Sequence, residues 1–244
     1  MAEHDKRIAL VSGANKGIGL EVTRALAKAG LRVLLGARDA GRGEAAAAQV
    51  REEGLDVQFI ALDLTDTASV AAAAARIGAD HERLDVLVNN AGIVDPADGP
   101  VSTAGIDAVR RIMETNFFGT LALTQALLPW LRRSNDARIV NVSSGLGSLT
   151  WNSDPDWEFA QVKLLGYNAS KAALNMLTVH LAYELRETSI KVNAANPGFT
   201  ATDLNGHRGT QTIEQGAAEA IRLALLPADG PSGGFFSAEG VNPW

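Results

Sequence analysis

The 244-residue chain contains no cysteine, which removes disulfides, thiolate zinc sites and cysteine nucleophiles together. Its four histidines, His4, His81, His180 and His207, are scattered, and no two stand four apart as on a zinc-binding helix, so no metal is expected. Basic side chains are the minority, 22 Lys and Arg against 28 Asp and Glu, and they form no stripe for a phosphate backbone to follow. Nucleic acid is therefore not an expected partner. Long apolar runs are missing too. The polar start, Met1–Arg7, is followed by an apolar segment too short for a secretory h-region or a membrane span, which makes the cytoplasm the expected location and excludes a membrane role.

What is present belongs to a packed globule. Hydrophobic residues make up 46% and charged residues 20%, a composition that buries a core instead of staying disordered. The length suits one domain over residues 1–244. Short Val-, Ile- and Leu-rich runs recur at Ile8–Val11, Leu31–Leu35, Val57–Leu62, Leu84–Val88, Arg138–Val142 and Ile190–Val192. They are continuous and not alternating, as in strands covered on both faces of a parallel sheet. Between them lie Ala- and Leu-rich stretches of helical period, among them Glu21–Ala29, Glu44–Glu52, Ala68–Ile77, Ala108–Arg132 and Ala169–Arg186. This order predicts an α/β fold, a single doubly wound (Rossmann-type), mostly parallel sheet with helices on both faces and right-handed crossovers. Periodicity fails in Gly145–Gly166 and Gly198–Gln211, each after a strand. Ligands of open α/β sheets sit beyond the carboxyl ends of strands, so these two segments are the candidates for substrate contact.

The first strand runs into Ser12-Gly13-Ala14-Asn15-Lys16-Gly17-Ile18-Gly19, ahead of a helix expected near Glu21. A glycine-rich turn between strand and helix lets backbone N–H groups approach a pyrophosphate, which the helix N-terminus then favours. The spacing GxxxGxG departs from GxGxxG, and a plain tight connection is the alternative. At the end of the second strand, where a carboxylate would accept from an NAD ribose, stands Ala37, followed by Arg38. With no acid there, and with Lys16 and Arg38 expected to converge, the site suits the 2′-phosphate of NADP; alternatively Arg38 and Arg42 are ordinary surface charges. In Leu62-Asp63-Leu64, Asp63 either accepts from the adenine amino group or caps the next helix ahead of Asp66.

Gly166-Tyr167-Asn168-Ala169-Ser170-Lys171 opens a helix on which Tyr167 and Lys171, four apart, share a face. Poising a phenol of pKa about 10 near neutrality requires about 4 kcal/mol of preference for phenolate, and an ammonium at about 4 Å supplies about that at an effective dielectric of 20. Such a pair also arises by chance in helices that do no chemistry.

The combination resembles the short-chain dehydrogenase/reductases, in particular the single-domain carbonyl reductases. The resemblance runs from Arg7 to the carboxyl terminus. Its carriers are the glycine turn, Asn89-Asn90-Ala91-Gly92, Asn116 in Thr115-Asn116-Phe117-Phe118-Gly119, Asn141-Val142-Ser143-Ser144, Tyr167 with Lys171, and Asn196-Pro197-Gly198. It implies that Tyr167 is the general acid, that Lys171 lowers its pKa and binds the nicotinamide ribose, and that Ser144 polarises the carbonyl. Asn116 would hold a water linking Lys171 to solvent. Gly13, Asn15, Lys16, Gly17, Ile18, Gly19, Arg38, Asp63 and Leu64 would hold the dinucleotide, with Asn89, Ala91 and Gly92 as a wall. Pro197, Gly198 and Thr202 would contact its nicotinamide end. From the residues themselves, Asn116 is a poor helix former inside a helical pattern, which favours a task for its amide. Ser143 and Ser144 point in opposite directions, so one faces the cleft.

One departure stands out. Ser144 and Tyr167 are 23 residues apart, more than in compact members, and the extra segment carries Trp151, Trp157 and Phe159. These rings line a pocket for a large apolar carbonyl compound, cover core, or occupy a surface that compact members use between subunits; a monomer or a homo-oligomer is compatible with the last case. Trp151, Trp157 and Phe199 are the candidate substrate contacts. The leading expectation is an NADPH-dependent reductase of a ketone, aldehyde or quinone. The rivals are an NAD(P)-dependent alcohol dehydrogenase working in the oxidative direction and a catalytically inert dinucleotide sensor.

Overall fold

The computed structural model describes residues 6–244; Met1–Asp5, with His4 and most of the polar start, lie outside the described residues. The predicted runs form six parallel strands, β1 (Ile8–Ser12), β2 (Arg32–Ala37), β3 (Val57–Ala61), β4 (Val86–Asn89), β5 (Arg138–Val142) and β6 (Lys191–Ala195). A short parallel strand, β7 (Phe235–Ser237), and an antiparallel two-residue strand, β8 (Gly240–Val241), extend the edge. The sheet order is β3-β2-β1-β4-β5-β6-β7-β8, so the winding reverses direction between β1 and β4. That reversal opens a crevice above the carboxyl ends of both strands.

Alternation along β1 explains why the apolar runs are continuous. Ala9 and Val11 face a core shared with α1 (Gly17–Lys28), α2 (Ala40–Glu52) and α8 (Ile213–Ala224), while Ile8 and Leu10 face the opposite core. That second core packs against α3 (Thr67–His81), α5 (Thr120–Leu131) and α7 (Leu165–Glu184). Each buried Leu, Ile or Val side chain contributes about 1.5–3 kcal/mol of burial free energy, so both faces hold the sheet rigid under the crevice. Among the described residues no helix is long and apolar enough to cross a membrane.

The stretch expected as one helix, Ala108–Arg132, is instead α4 (Ile106–Met113), a wide π turn (Glu114–Gly119) and α5. Two anchors account for the widening. The Asn116 amide is drawn to the backbone of Ile93, and Gly119 lies so close to Leu64 that an added Cβ would stand 2.4 Å from its carbonyl oxygen. Gly145–Gly166, expected to be irregular, contains a 3-10 turn (Gly145–Gly147) and the short helix α6 (Leu149–Ser153), capped by the Ser148 hydroxyl. Thr150 ties this helix to the far end of the chain, donating from both its N–H and its hydroxyl to the Trp244 carbonyl at 3.1 and 2.8 Å.

Candidate active site

A cleft of about 600 Å³ lies where the strand order reverses, and the glycine turn forms its floor. Helix α1 starts at Gly17, four residues before the expected Glu21. Its preceding residue, Lys16, is extended and makes no side-chain cap, so protein side chains leave the first N–H groups available to an anion. Gly13, at φ 62°, sits where a Cβ would fall 2.8 Å from the Ala91 Cα, and Gly19 sits where one would fall 2.4 Å from the Asn90 Nδ2. Only glycine allows the turn to press this closely on the exit of β4. Asn15, Lys16, Gly17 and Ile18 line the same cleft.

Of the expected wall, Ala91 and Gly92 line the cleft, and Asn89 does not. Side chains alternate along β4, which sends Asn89 beneath the sheet, where it donates to Thr124 Oγ1 and Asn141 Oδ1. Asn90 does the bracing instead. Its Nδ2 donates to the carbonyls of Ser12 and Gly13 at 2.9 and 3.1 Å, clamping the turn.

At the end of β2, Arg38 and Arg42 line the cleft, and so does the unanticipated Asp39. Its carboxylate is occupied as the cap of α2, accepting from the Arg42 N–H at 2.8 Å. Lys16 and Arg38 reach one cleft, but the Lys16 ammonium pairs with Asp203 from the opposite side. Asp63 and Leu64 also line it. Asp63 accepts from the Thr65 N–H and hydroxyl at 2.9 and 2.8 Å, and Asp66, not Asp63, caps α3.

Tyr167 enters the cleft from the first turn of α7, which no side chain of its own N-cap supports. Asp98, in the loop after β4, fills that need: its two carboxylate oxygens accept from the N–H groups of Gly166 and Tyr167 at 2.8 and 2.9 Å. No local pattern in the sequence marks Asp98, because its partners lie almost seventy residues away. One turn further, Lys171 is 3% exposed and donates to the Val142 carbonyl at 2.8 Å. Burial lowers this ammonium to about 8 and pushes the Tyr167 phenol up to about 12, against the opposing pull of its hydrogen bond with Ser144. Burial thus works on the phenol against the depression expected from Lys171. The ammonium sits 5.7 Å from the ring centroid and is spent on a carbonyl, so desolvation wins. At neutral pH both groups hold their protons.

The two serines separate as alternation requires. Ser144 is half-buried, hydrogen-bonds with Tyr167 and accepts from the Leu146 N–H at 3.2 Å, but it is Ser143, not Ser144, that is among the residues lining the cleft, its hydroxyl donating to Asn175 Oδ1. Asn116 is fully buried in the π turn, accepting from the Ile93 N–H and donating to the Ile93 carbonyl and the Ser170 hydroxyl. Both amide hydrogens are therefore committed to protein partners, while Oδ1 accepts one of the two hydrogen bonds it can take. What it does is pin the β4 exit against α7. An added Cβ on Gly92 would lie 3.5 Å from the Lys171 ammonium and 3.6 Å from Asn116 Oδ1, so the three groups crowd one point.

Beyond β6, Pro197 and Thr202 line the cleft; Gly198 turns away at φ 68° and packs on the Gln211 amide. Asn196 steadies this corner, its Oδ1 accepting from the N–H groups of Gly145 and Gly198. Trp151, Trp157 and Phe199 are not part of the dinucleotide-sized cleft. They form a ladder with Phe159: Trp151 stacks on Trp157 at 5.5 Å, Trp157 meets Phe159 edge-on at 5.5 Å, and Phe159 meets Phe199 at 5.8 Å. The Trp151 end lies against Gly145, directly after Ser144, so the two irregular segments are joined beside the Ser144–Tyr167 pair.

A glycine turn with an open helix terminus and a buried Tyr167–Lys171 pair on one crevice, with the half-buried Ser144 against Tyr167, define the class. The profile of the short chain dehydrogenase family matches residues 7–212, and the chain belongs to this family of oxidoreductases. It is 35% identical to (+)-neomenthol dehydrogenase from Arabidopsis thaliana, with 99% of both chains covered. It is 34% identical to the NADPH carbonyl reductase 1 of Rattus norvegicus, over 98% of this chain and 99% of that one. Among solved structures, NADPH-bound carbonyl reductase from chicken fatty liver superposes with a TM-score of 0.85 at 30% identity, covering 98% of this chain and 99% of that one.

Proposed function

We propose that the chain is an NADPH-dependent carbonyl reductase, in which Tyr167 protonates the carbonyl oxygen of a ketone, aldehyde or quinone. The observation that carries this reading is geometric: the buried Tyr167 phenol lines the crevice, hydrogen-bonded to Ser144, with the Lys171 ammonium one helical turn behind it on the same crevice.

The chain's residues fit the dinucleotide. The open N-terminus of α1 suits its pyrophosphate, and the missing acid at Ala37, with Arg38 beside it and Lys16 in the same cleft, suits a 2′-phosphate. Two of the relatives are named as NADPH-linked carbonyl reductases, which supports the reading. When bound, the reduced nicotinamide supplies the hydride. Ser144 donates a hydrogen bond to the carbonyl oxygen and orients it, and Tyr167 delivers the proton to that oxygen. Lys171 stands one helical turn behind as the adjacent charge. The aromatic ladder forms the outer wall for an apolar substrate body, the 600 Å³ cleft being taken by the cofactor.

The test is NADPH consumption across carbonyl compounds of graded size, run with wild type and Tyr167→Phe. The variant is expected to lose about 10²–10⁴-fold in kcat/KM while still binding NADPH. Less than a tenfold loss would remove Tyr167 from the chemistry.

A further inference from the structure

The Lys16 ammonium, set just before α1, is engaged from across the cleft by Asp203, which opens the short turn after β6. The two are 187 residues apart in sequence and belong to opposite walls. Asp203 has a second partner at hand, since its other oxygen lies 2.7 Å from His207 Nε2. The backbone fixes His207 there: its φ is 60°, a region side-chain-bearing residues seldom adopt, and its N–H donates to the Thr202 carbonyl at 2.9 Å. Lys16 first, and His207 after it, hold the Asp203 carboxyl below its usual range, so it is ionised throughout neutral pH. Arg38, by contrast, makes no ion pair among the described residues, and Arg42 reaches only Asp39 on its own helix.

We propose that Asp203 tunes the preference for the 2′-phosphorylated dinucleotide by competing with that phosphate for Lys16. The inference rests on the NADPH reading above. The ammonium that a 2′-phosphate would recruit is already committed, and part of the binding free energy goes into releasing it. Asp203 is not stranded by the exchange, because His207 remains beside it. An unphosphorylated dinucleotide places no demand on Lys16, so its binding does not sense the pair.

Asp203→Asn keeps the shape and removes the charge. Titration of the full chain in low salt, read by quenching of tryptophan fluorescence, is expected to show NADPH bound about two- to fivefold more tightly and NADH unchanged, the range open to a half-exposed pair. In a Lys16→Met background the same substitution is expected to give no gain, because the contested cation is gone. Unchanged or weaker NADPH binding in Asp203→Asn overturns the proposal. So does an equal gain for NADH, or a gain that survives in Lys16→Met, which would assign the effect to direct repulsion of the phosphate. A wild-type chain with no preference for NADPH over NADH would bring down the cofactor reading itself and this inference with it; loss of the Asp203 effect alone leaves that reading standing.

Discussion

The depressed ammonium of Lys171 makes folding stability climb with pH over a defined window. In the folded chain the group releases its proton near 8, and in the unfolded chain near 10.5. Below about pH 8 both states hold the proton; between the two values only the unfolded state does, so raising the pH there favours the folded state. Across the interval from about pH 7 to about pH 9.5 this group alone adds about 2 kcal/mol to the unfolding free energy. Tyr167 acts in the opposite sense: its folded value of about 12 exceeds the ordinary 10.0, so it withdraws stability only as the pH rises beyond that ordinary value. Measurements that stop short of about pH 10 therefore isolate Lys171. The assay is urea unfolding of the cofactor-free chain and of Lys171→Met at a series of pH values, with the difference between the two taken at each. Other titrating groups cancel in that difference. Wild type is expected to gain on the variant by about 2 kcal/mol over the interval. Parallel curves would show that Lys171 titrates as an exposed lysine does, and would refute the account of its burial.

Two further outcomes follow from the cleft and from the aromatic ladder beside it. Arg38→Ala is expected to raise the KM for NADPH about ten- to a hundredfold, the range for a charge-assisted hydrogen bond, with little change for NADH; equal changes in steady-state kinetics would refute the 2′-phosphate assignment. Trp157→Ala removes the middle of the ladder, breaking two aromatic contacts worth about 0.5–1.5 kcal/mol each, and is expected to raise KM for bulky apolar ketones about tenfold while leaving small aldehydes nearly unaffected. A uniform effect on all substrates would show that the ladder supports the fold and not the substrate.

Strands β1 to β6 were legible because each is a continuous apolar run covered on both faces, a pattern that loops do not imitate. Strands β7 and β8 were not, being three and two residues long with no run to detect. The wide turn at Glu114–Gly119 leaves the apolar pattern unbroken, and only the unusual presence of Asn116 hinted at it. Within the site, residue types and spacing pointed to the glycine turn and Arg38, and the family resemblance singled out Tyr167 with Lys171; all of them line the crevice. What they missed comes from the third dimension: Asn90 in place of Asn89, decided by which way one strand residue points, and Asp98, Asp203 and His207, supplied by loops far away in sequence. The Tyr167 electrostatics involve more than a pair of charges. A pairwise Coulomb estimate contains no desolvation, and desolvation is the larger effect when both groups are buried.

The wide turn also settles a problem of phase. Ala108, Ile112, Asn116, Thr120 and Thr124 are all buried at every fourth position. Around an evenly wound helix of 3.6 residues per turn such a line would drift by about 40° at each step, carrying its far end off toward solvent. Slackening the winding once, midway, lets one continuous rod keep that row aimed at the sheet, so that it grips Ile93 with Asn116 and, two steps along, Asn89 with Thr124. Deleting a single residue there would rotate every later side chain out of line, which makes the length of this rod, as much as its composition, part of what shapes the crevice.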